Sequence, residues 1–297
     1  MIKGMKIFIT GASGRLGGAL NRRYAARHEM LTPSRSVLDL AKPDEVAEIV
    51  RDLDFDLLIN CAGMISPDEC EGDPLGAMRV NAESPAVLAA ECQRRGARMI
   101  QISTDYVFDG EGDSLLSEAA PAAPAVPVNA YGRSKLAGEQ AVLAACSQVL
   151  VARVSWLFGP DRPSFPDQML ARAIAGQEVA AIADKWSVPT STDDIASWLE
   201  HLFIHRPAAS GLLHVCNSGE ATWHSYAETT LALALEIGLI QDLPPVKPQR
   251  MEEFTGFLAR RPRYTTMSNA ALADLLGETP QSWESALRQS LAGRVTR

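Results

Sequence analysis

The chain has 297 residues, 46% hydrophobic and 22% charged, enough for one large domain or one and a half around a sizeable core. A net charge of −8 argues against nucleic acid as the main partner. Five scattered cysteines without C-x-x-C spacing and the lack of any long apolar run predict reduced thiols, no disulfide frame, no signal peptide and no membrane span, hence a cytoplasmic protein.

Met5–Thr10 is apolar and β-branched enough for a buried strand. Gly11-Ala12-Ser13-Gly14-Arg15-Leu16-Gly17-Gly18 follows and runs into a helix from Ala19 to Ala26. Strand, glycine turn and helix make the entry of a dinucleotide-binding βαβ unit, here with G-x-x-G-x-x-G spacing. Gly11 allows the tight turn, Gly14 lets the backbone approach a pyrophosphate, and Gly17 lets the helix pack on the strand. Ser13, Arg15 and Leu16 complete the candidate cofactor contacts of the loop. Unpaired N–H groups at the helix start then face the phosphates.

Glu29–Pro33 reads as a second strand, whose end meets the adenine ribose in a dinucleotide fold. An NAD site usually places a carboxylate there. This chain places Ser34-Arg35-Ser36, which suits a 2′-phosphate and so predicts NADPH, with NADH as the alternative. Asp39 and Leu40 follow within reach of the adenine edge. Ala41–Asp52 is a short helix, and Phe55–Asn60 a third buried strand. That strand ends in Cys61-Ala62-Gly63, small residues fit to lie against a cofactor. A helix over Asn81–Arg95 and a strand over Arg98–Ile102 come next. The Ala/Pro-rich stretch Ala119–Val128 is a loop.

The strand at Ile100 ends in Ser103-Thr104-Asp105-Tyr106, and a helix opens with Asn129-Ala130-Tyr131-Gly132-Arg133-Ser134-Lys135. A tyrosine and a lysine four residues apart share one helix face. The ammonium is expected to lower the phenol's pKa and tune it for proton transfer, and the Thr104 hydroxyl to bond the same substrate oxygen. Further on, Gln177–Ile182 and Gly211–Val215 read as strands. Thr192–Leu202 reads as a returning helix, and a helix runs to Ile237 behind a Thr222 cap. Leu243–Pro248 reads as a loop. The five histidines lack metal-ligand spacing. Arg260-Arg261-Pro262-Arg263 is either a solvated turn or a clamp for a diphosphate.

In the order glycine loop, Asn-x-Ala-Gly strand end, Ser-Thr strand end and Tyr-x-x-x-Lys, the chain resembles the extended short-chain dehydrogenase/reductases, specifically the dTDP-4-dehydrorhamnose reductase group. Ser103–Gly110 (STDYVFDG), Tyr131–Lys135 (YGRSK), Val151–Gly159 (VARVSWLFG) and Arg261–Leu291 carry the likeness over nearly the whole chain. The resemblance implies a Rossmann-type doubly wound parallel sheet with a smaller C-terminal α/β substrate-binding domain. The cofactor unit would span 1–160 with segments returning near 177–218, and the substrate unit 161–176 and 219–297. The group's catalytic threonine, tyrosine and lysine fall on Thr104, Tyr131 and Lys135, and Tyr131 and Lys135 also touch cofactor. Thr104, Tyr106 and Trp156 would contact substrate. The implied reaction is reduction of the 4-keto group of a dTDP-6-deoxyhexulose, with at most a homodimer formed through the helices at Asn81–Arg95 and Tyr131–Cys146.

Gly63-Met64-Ile65-Ser66-Pro67 departs from the group's usual substrate-contacting segment, which leaves the sugar open. Arg15 stands where a magnesium-assisted member would need an acid, so no tight metal site is expected. Two other functions share the fold. A sugar-nucleotide epimerase remains open, whereas a dehydratase would carry Thr-Asp-Glu where this chain has Thr104-Asp105-Tyr106. A non-catalytic NADP-binding subunit, similar to the β subunit of methionine adenosyltransferase, would bind a partner protein instead of turning over.

Overall fold

The computed structural model describes residues 4–118 and 125–295, so Ala119–Pro124 of the expected loop lies outside the described residues. The main sheet uses β1 (Lys6–Thr10), β2 (Glu29–Leu31), β3 (Leu57–Asn60), β4 (Arg98–Thr104), β5 (Val149–Val154) and the strand Gly211–His214. All six are parallel, in the spatial order β2, β1, β3, β4, β5, Gly211–His214. The chain steps out from β1 to β2, then crosses back to β3 and continues the other way. That reversal between β1 and β3 opens a crevice at the strands' carboxyl ends, where doubly wound sheets bind ligands.

Alternation along the strands assigns residues to two faces. Ile7, Ile9, Leu57 and Ile59 pack with Leu16 and Leu20 of α1 (Arg15–Tyr24) and with Ile195 and Leu199 of the helix Thr192–His205. Phe8, Leu58, Met99 and Val151 pack with the opposite helices: α2 (Pro43–Arg51), the helix Ser84–Arg95 and the helix Ala130–Ala145. The helix expected from Asn81 opens instead with a π-helical turn, Arg79–Glu83. Gly138 rests on that turn so closely that a Cβ would stand 2.0 Å from the Asn81 carbonyl oxygen.

Beyond β5 the chain forms short two-stranded ribbons. Leu157–Phe158 pairs with Thr190–Ser191, and Val179–Ile182 pairs with Val246–Gln249, both in parallel. The second pairing corrects the loop expected over Leu243–Pro248. Pro248 lacks an N–H to donate, but a two-stranded ribbon has free edges that tolerate it. The helices Phe165–Ile174 and Trp223–Glu236 pack together over this ribbon. Thr222 caps the second of them by accepting from Ser225 N. No helix among the described residues is long and apolar enough to cross a membrane.

Candidate active site

A cleft of about 930 Å³ runs along the carboxyl ends of β1, β3 and β4. Every candidate cofactor, catalytic and substrate residue from the sequence lies on its wall, from Gly11 and Ser34 at one end to Trp156 at the other.

The glycine turn is shaped by backbone contact. Gly11 has φ +67, and its carbonyl accepts from Gly14 N at 2.9 Å. A Cβ on Gly17 would sit 2.3 Å from that same carbonyl oxygen, so any side chain there would force α1 away from β1. Gly14 is the cap of α1 and offers no side-chain acceptor, and the first turn holds no acid. The opening amides therefore face the cleft as an anion cradle, which fits the pyrophosphate of a dinucleotide. Arg15 turns sideways, donating to the carbonyls of Arg162 and Pro163. Arg35 lies 3.5 Å from Asp39 with its side chain 84% exposed, so the pair sits open to solvent beside Ser34 and Ser36.

The floor is a buried polar chain. Thr10 Oγ1 donates to Asn60 Oδ1 at 2.5 Å and accepts from Ala62 N at 3.2 Å, while Asn60 Nδ2 donates to Gln101 Oε1 at 2.8 Å. The loop after β3 is held from above by Asn81. Its amide brackets the Met64 backbone at 2.9 Å on both sides and reaches Ser134 Oγ at 3.0 Å. Sequence reading passed over Asn81 because nothing local marks a π turn. Such turns gather at functional sites, and this one aims the amide inward.

Asn129 caps the helix Ala130–Ala145 by accepting from Gly132 N at 2.8 Å. That helix carries Tyr131 and Lys135 into the cleft, one turn apart. Lys135 Nζ donates to the Ile102 carbonyl at 2.6 Å. Burial pulls its pKa down to about 8, against the opposing pull of the Glu139 charge. Burial also pushes the Tyr131 phenol up, with a hydrogen bond from Thr104 acting the other way and the charge of Asp105 adding to the rise. This corrects the expected lowering of the tyrosine by its lysine: the ammonium is committed to a strand carbonyl, and desolvation of a phenolate outweighs it. The Tyr106 ring meets the Tyr131 ring edge-on at 5.6 Å.

Trp156 closes the far wall with φ +36, the one non-glycine residue in the left-handed region among those described. An aromatic cage holds it there: Tyr226 at 4.7 Å, Phe165 at 5.1 Å and Trp223 at 5.5 Å. In the basic stretch Arg260 and Arg263 are exposed, Arg260 pairing with Glu111 at the surface, whereas Arg261 is buried and bidentate on Asp68, at 3.1 and 2.7 Å. Among the described residues no cluster of three or more His, Cys, Asp or Glu side chains has metal-holding geometry.

A doubly wound sheet with a glycine turn at its switch point and a Thr, Tyr, Lys constellation above β4 defines an extended short-chain dehydrogenase/reductase. Residues 5–295 match the family described as RmlD substrate binding domain, and the chain belongs to that family. It is 33% identical over 294 residues to the dTDP-4-dehydrorhamnose reductase of Burkholderia thailandensis, covering 95% of this chain and 97% of that protein. It is 34% identical to the dTDP-4-keto-6-deoxy-D-glucose reductase of Streptomyces niveus, over 95% of each chain. The crystal structure of the Bacillus anthracis dTDP-4-dehydrorhamnose reductase in complex with NADP superposes with a TM-score of 0.89 at 28% identity, covering 98% of this chain and 99% of that one.

Proposed function

We propose that this chain uses NADPH to reduce the 4-keto group of a dTDP-activated 6-deoxyhexulose, with the cofactor on the main sheet and the substrate under the smaller unit. The observation that carries the reading is the convergence of Thr104, Tyr131 and Lys135 on one wall of a cleft whose other end is the glycine cradle. Bound NADPH supplies the hydride. Tyr131, kept protonated by burial, gives its proton to the oxygen that was the keto group. Lys135 holds the cofactor ribose and is the nearest cation on the tyrosine's own helix face. Thr104 bonds the same oxygen, and Tyr106 and Trp156 fix the sugar between them. Gly11, Gly14 and Gly17 bring the backbone to the pyrophosphate, and Ser34 with Arg35 receives the 2′-phosphate. Cys61, Ala62 and Gly63 leave room beside it, and Asp39 and Leu40 border the adenine. We further infer a cytoplasmic enzyme, at most homodimeric, meeting its copy through the outer faces of Ser84–Arg95 and Ala130–Ala145.

The test is NADPH absorbance with a dTDP-4-keto-6-deoxyhexulose. One cofactor oxidised per ketosugar consumed is expected. Turnover without net oxidation would indicate an epimerase. Cofactor binding with no turnover on any ketosugar would indicate a regulatory subunit. Either result overturns the reading.

A further inference from the structure

Asp105 follows Thr104 at the end of β4 and is 3% exposed. Four hydroxyls from four separate segments converge on its carboxylate. Thr104 Oγ1 donates to Oδ1 at 3.2 Å. Ser155 Oγ, Ser187 Oγ and Thr265 Oγ1 donate to Oδ2 at 3.0, 2.9 and 2.7 Å. Ser155 follows β5 in the main sheet. Ser187 lies in the short strand Trp186–Ser187, and Thr265 runs beside it, its N–H donating to the Trp186 carbonyl at 3.1 Å. One buried carboxylate thus ties the end of β4 to the residue after β5, to the short strand Trp186–Ser187 and to Thr265.

The bond to Asp105 holds the Thr104 side chain in one rotamer beside Tyr131, with its oxygen also accepting from the Tyr106 N–H, 3.2 Å away. We propose that Asp105 is a positioning residue. It orients Thr104 toward Tyr131 and clasps the smaller unit over the catalytic strand end, so that the sugar site and the proton donor are held in one geometry. This rests on the reductase reading. The charge of the clasp has a second effect, because it faces the acid. The groups around Tyr131 are Thr104 at the end of β4, Asp105 and Tyr106 after it, Cys70 from the helix Pro67–Gly72, and Lys135 on its own helix. Lys185 lies over the Tyr106 ring at 5.2 Å, and Arg261 acts on both Tyr106 and Lys185. Of these, Asp105 is the anion that helps hold the phenol protonated.

Asp105→Asn keeps the shape but turns an oxygen that accepts three hydroxyl protons into a donor. The measurements are steady-state NADPH oxidation against pH, and tyrosinate absorbance of the NADP-bound protein with Tyr131→Phe as the blank. We expect kcat to fall about tenfold to a hundredfold. The basic limb of kcat and the Tyr131 titration should both move to lower pH, since an anion that favoured the phenol is gone. Ser187→Ala and Thr265→Val keep the charge, so their limb should stay in place while KM rises severalfold. Wild-type kcat in Asp105→Asn, or a Tyr131 titration that does not move, overturns the proposal. If Asp105→Asn does not fold, wild-type kcat and KM in both hydroxyl variants overturn it. A wild-type protein that oxidises no NADPH fails the reductase reading, while the absorbance titration still reads the Asp105 effect.

Discussion

Glu139 and Arg153 form a two-bond ion pair inside the molecule, with Arg153 Nε on Oε1 at 2.9 Å and Nη2 on Oε2 at 2.7 Å. Their side chains are 3% and 7% exposed, and Ser103 Oγ adds a bond to Oε1 at 2.5 Å. Glu139 stands one turn beyond Lys135, so its charge partly offsets the burial of the Lys135 ammonium. Glu139→Ala leaves Arg153 charged, buried and unpaired. It is expected to destabilise the fold by about 3–5 kcal/mol. Urea unfolding checks this; a loss under about 1 kcal/mol would show that water or a neighbour replaces the carboxylate.

Tyr131→Phe keeps the ring that packs against Tyr106 and removes only the proton in flight. kcat is expected to fall about 10²–10⁴-fold, with KM and NADPH affinity close to wild type. Lys135→Ala should differ, losing a ribose contact as well, so that cofactor affinity and kcat fall together. Steady-state kinetics beside a fluorescence titration of NADPH separates the two patterns.

Lys185 is 1% exposed, and among the described residues its ammonium has no ion-pair partner within salt-bridge distance. Burial pulls its pKa down to about 8, with Asp105 opposing. The folded pKa is below the unfolded one, so the folded state carries a penalty at neutral pH that fades as pH climbs through 8 toward the unfolded value of 10.5. Lys185→Met is therefore expected to raise stability at pH 7 by about 1–4 kcal/mol. The gap to wild type should close as the buffer is made alkaline. Thermal melts of both proteins across that range test the sign; a gap that widens with pH refutes it.

Arg35 is exposed and shares its charge with Asp39, which limits what it can add. Arg35→Asp is expected to weaken NADPH by about 1–3 kcal/mol and NADH much less, the loss of one charged hydrogen bond. Competitive binding of the two cofactors measures it. Equal affinity of the wild type for both would remove the NADPH preference.

Much of the sheet and many residues of the cleft wall were legible because their signals are local. Glycine spacing, β-branched runs and a Tyr-x-x-x-Lys face each sit within a few residues. What escaped depends on partners distant in sequence. Val246–Gln249 carries Pro248 and reads as a loop until Val179–Ile182 is placed beside it. Arg261 reads as surface until Asp68 arrives from 193 residues away. The tyrosine's pKa was misjudged for the same reason: helix spacing shows the lysine, while burial is a property of the assembled cleft. Asp105 lies in a recognisable motif, but three of its hydroxyl partners, Ser155, Ser187 and Thr265, are 50 to 160 residues away.

The Asp105 cluster also fixes an order of events during synthesis. Thr104, Tyr131 and Lys135 leave the ribosome early, and the sheet that carries them lacks only the Gly211–His214 strand until residue 214 has emerged. Thr265 is the last of the four donors along the chain. A ribosome-bound chain stopped between those two points would hold a finished cofactor cradle under an unfastened substrate roof. Cofactor capture should therefore precede turnover along the nascent chain, with the ability to reduce a sugar arriving only when the last hydroxyl docks.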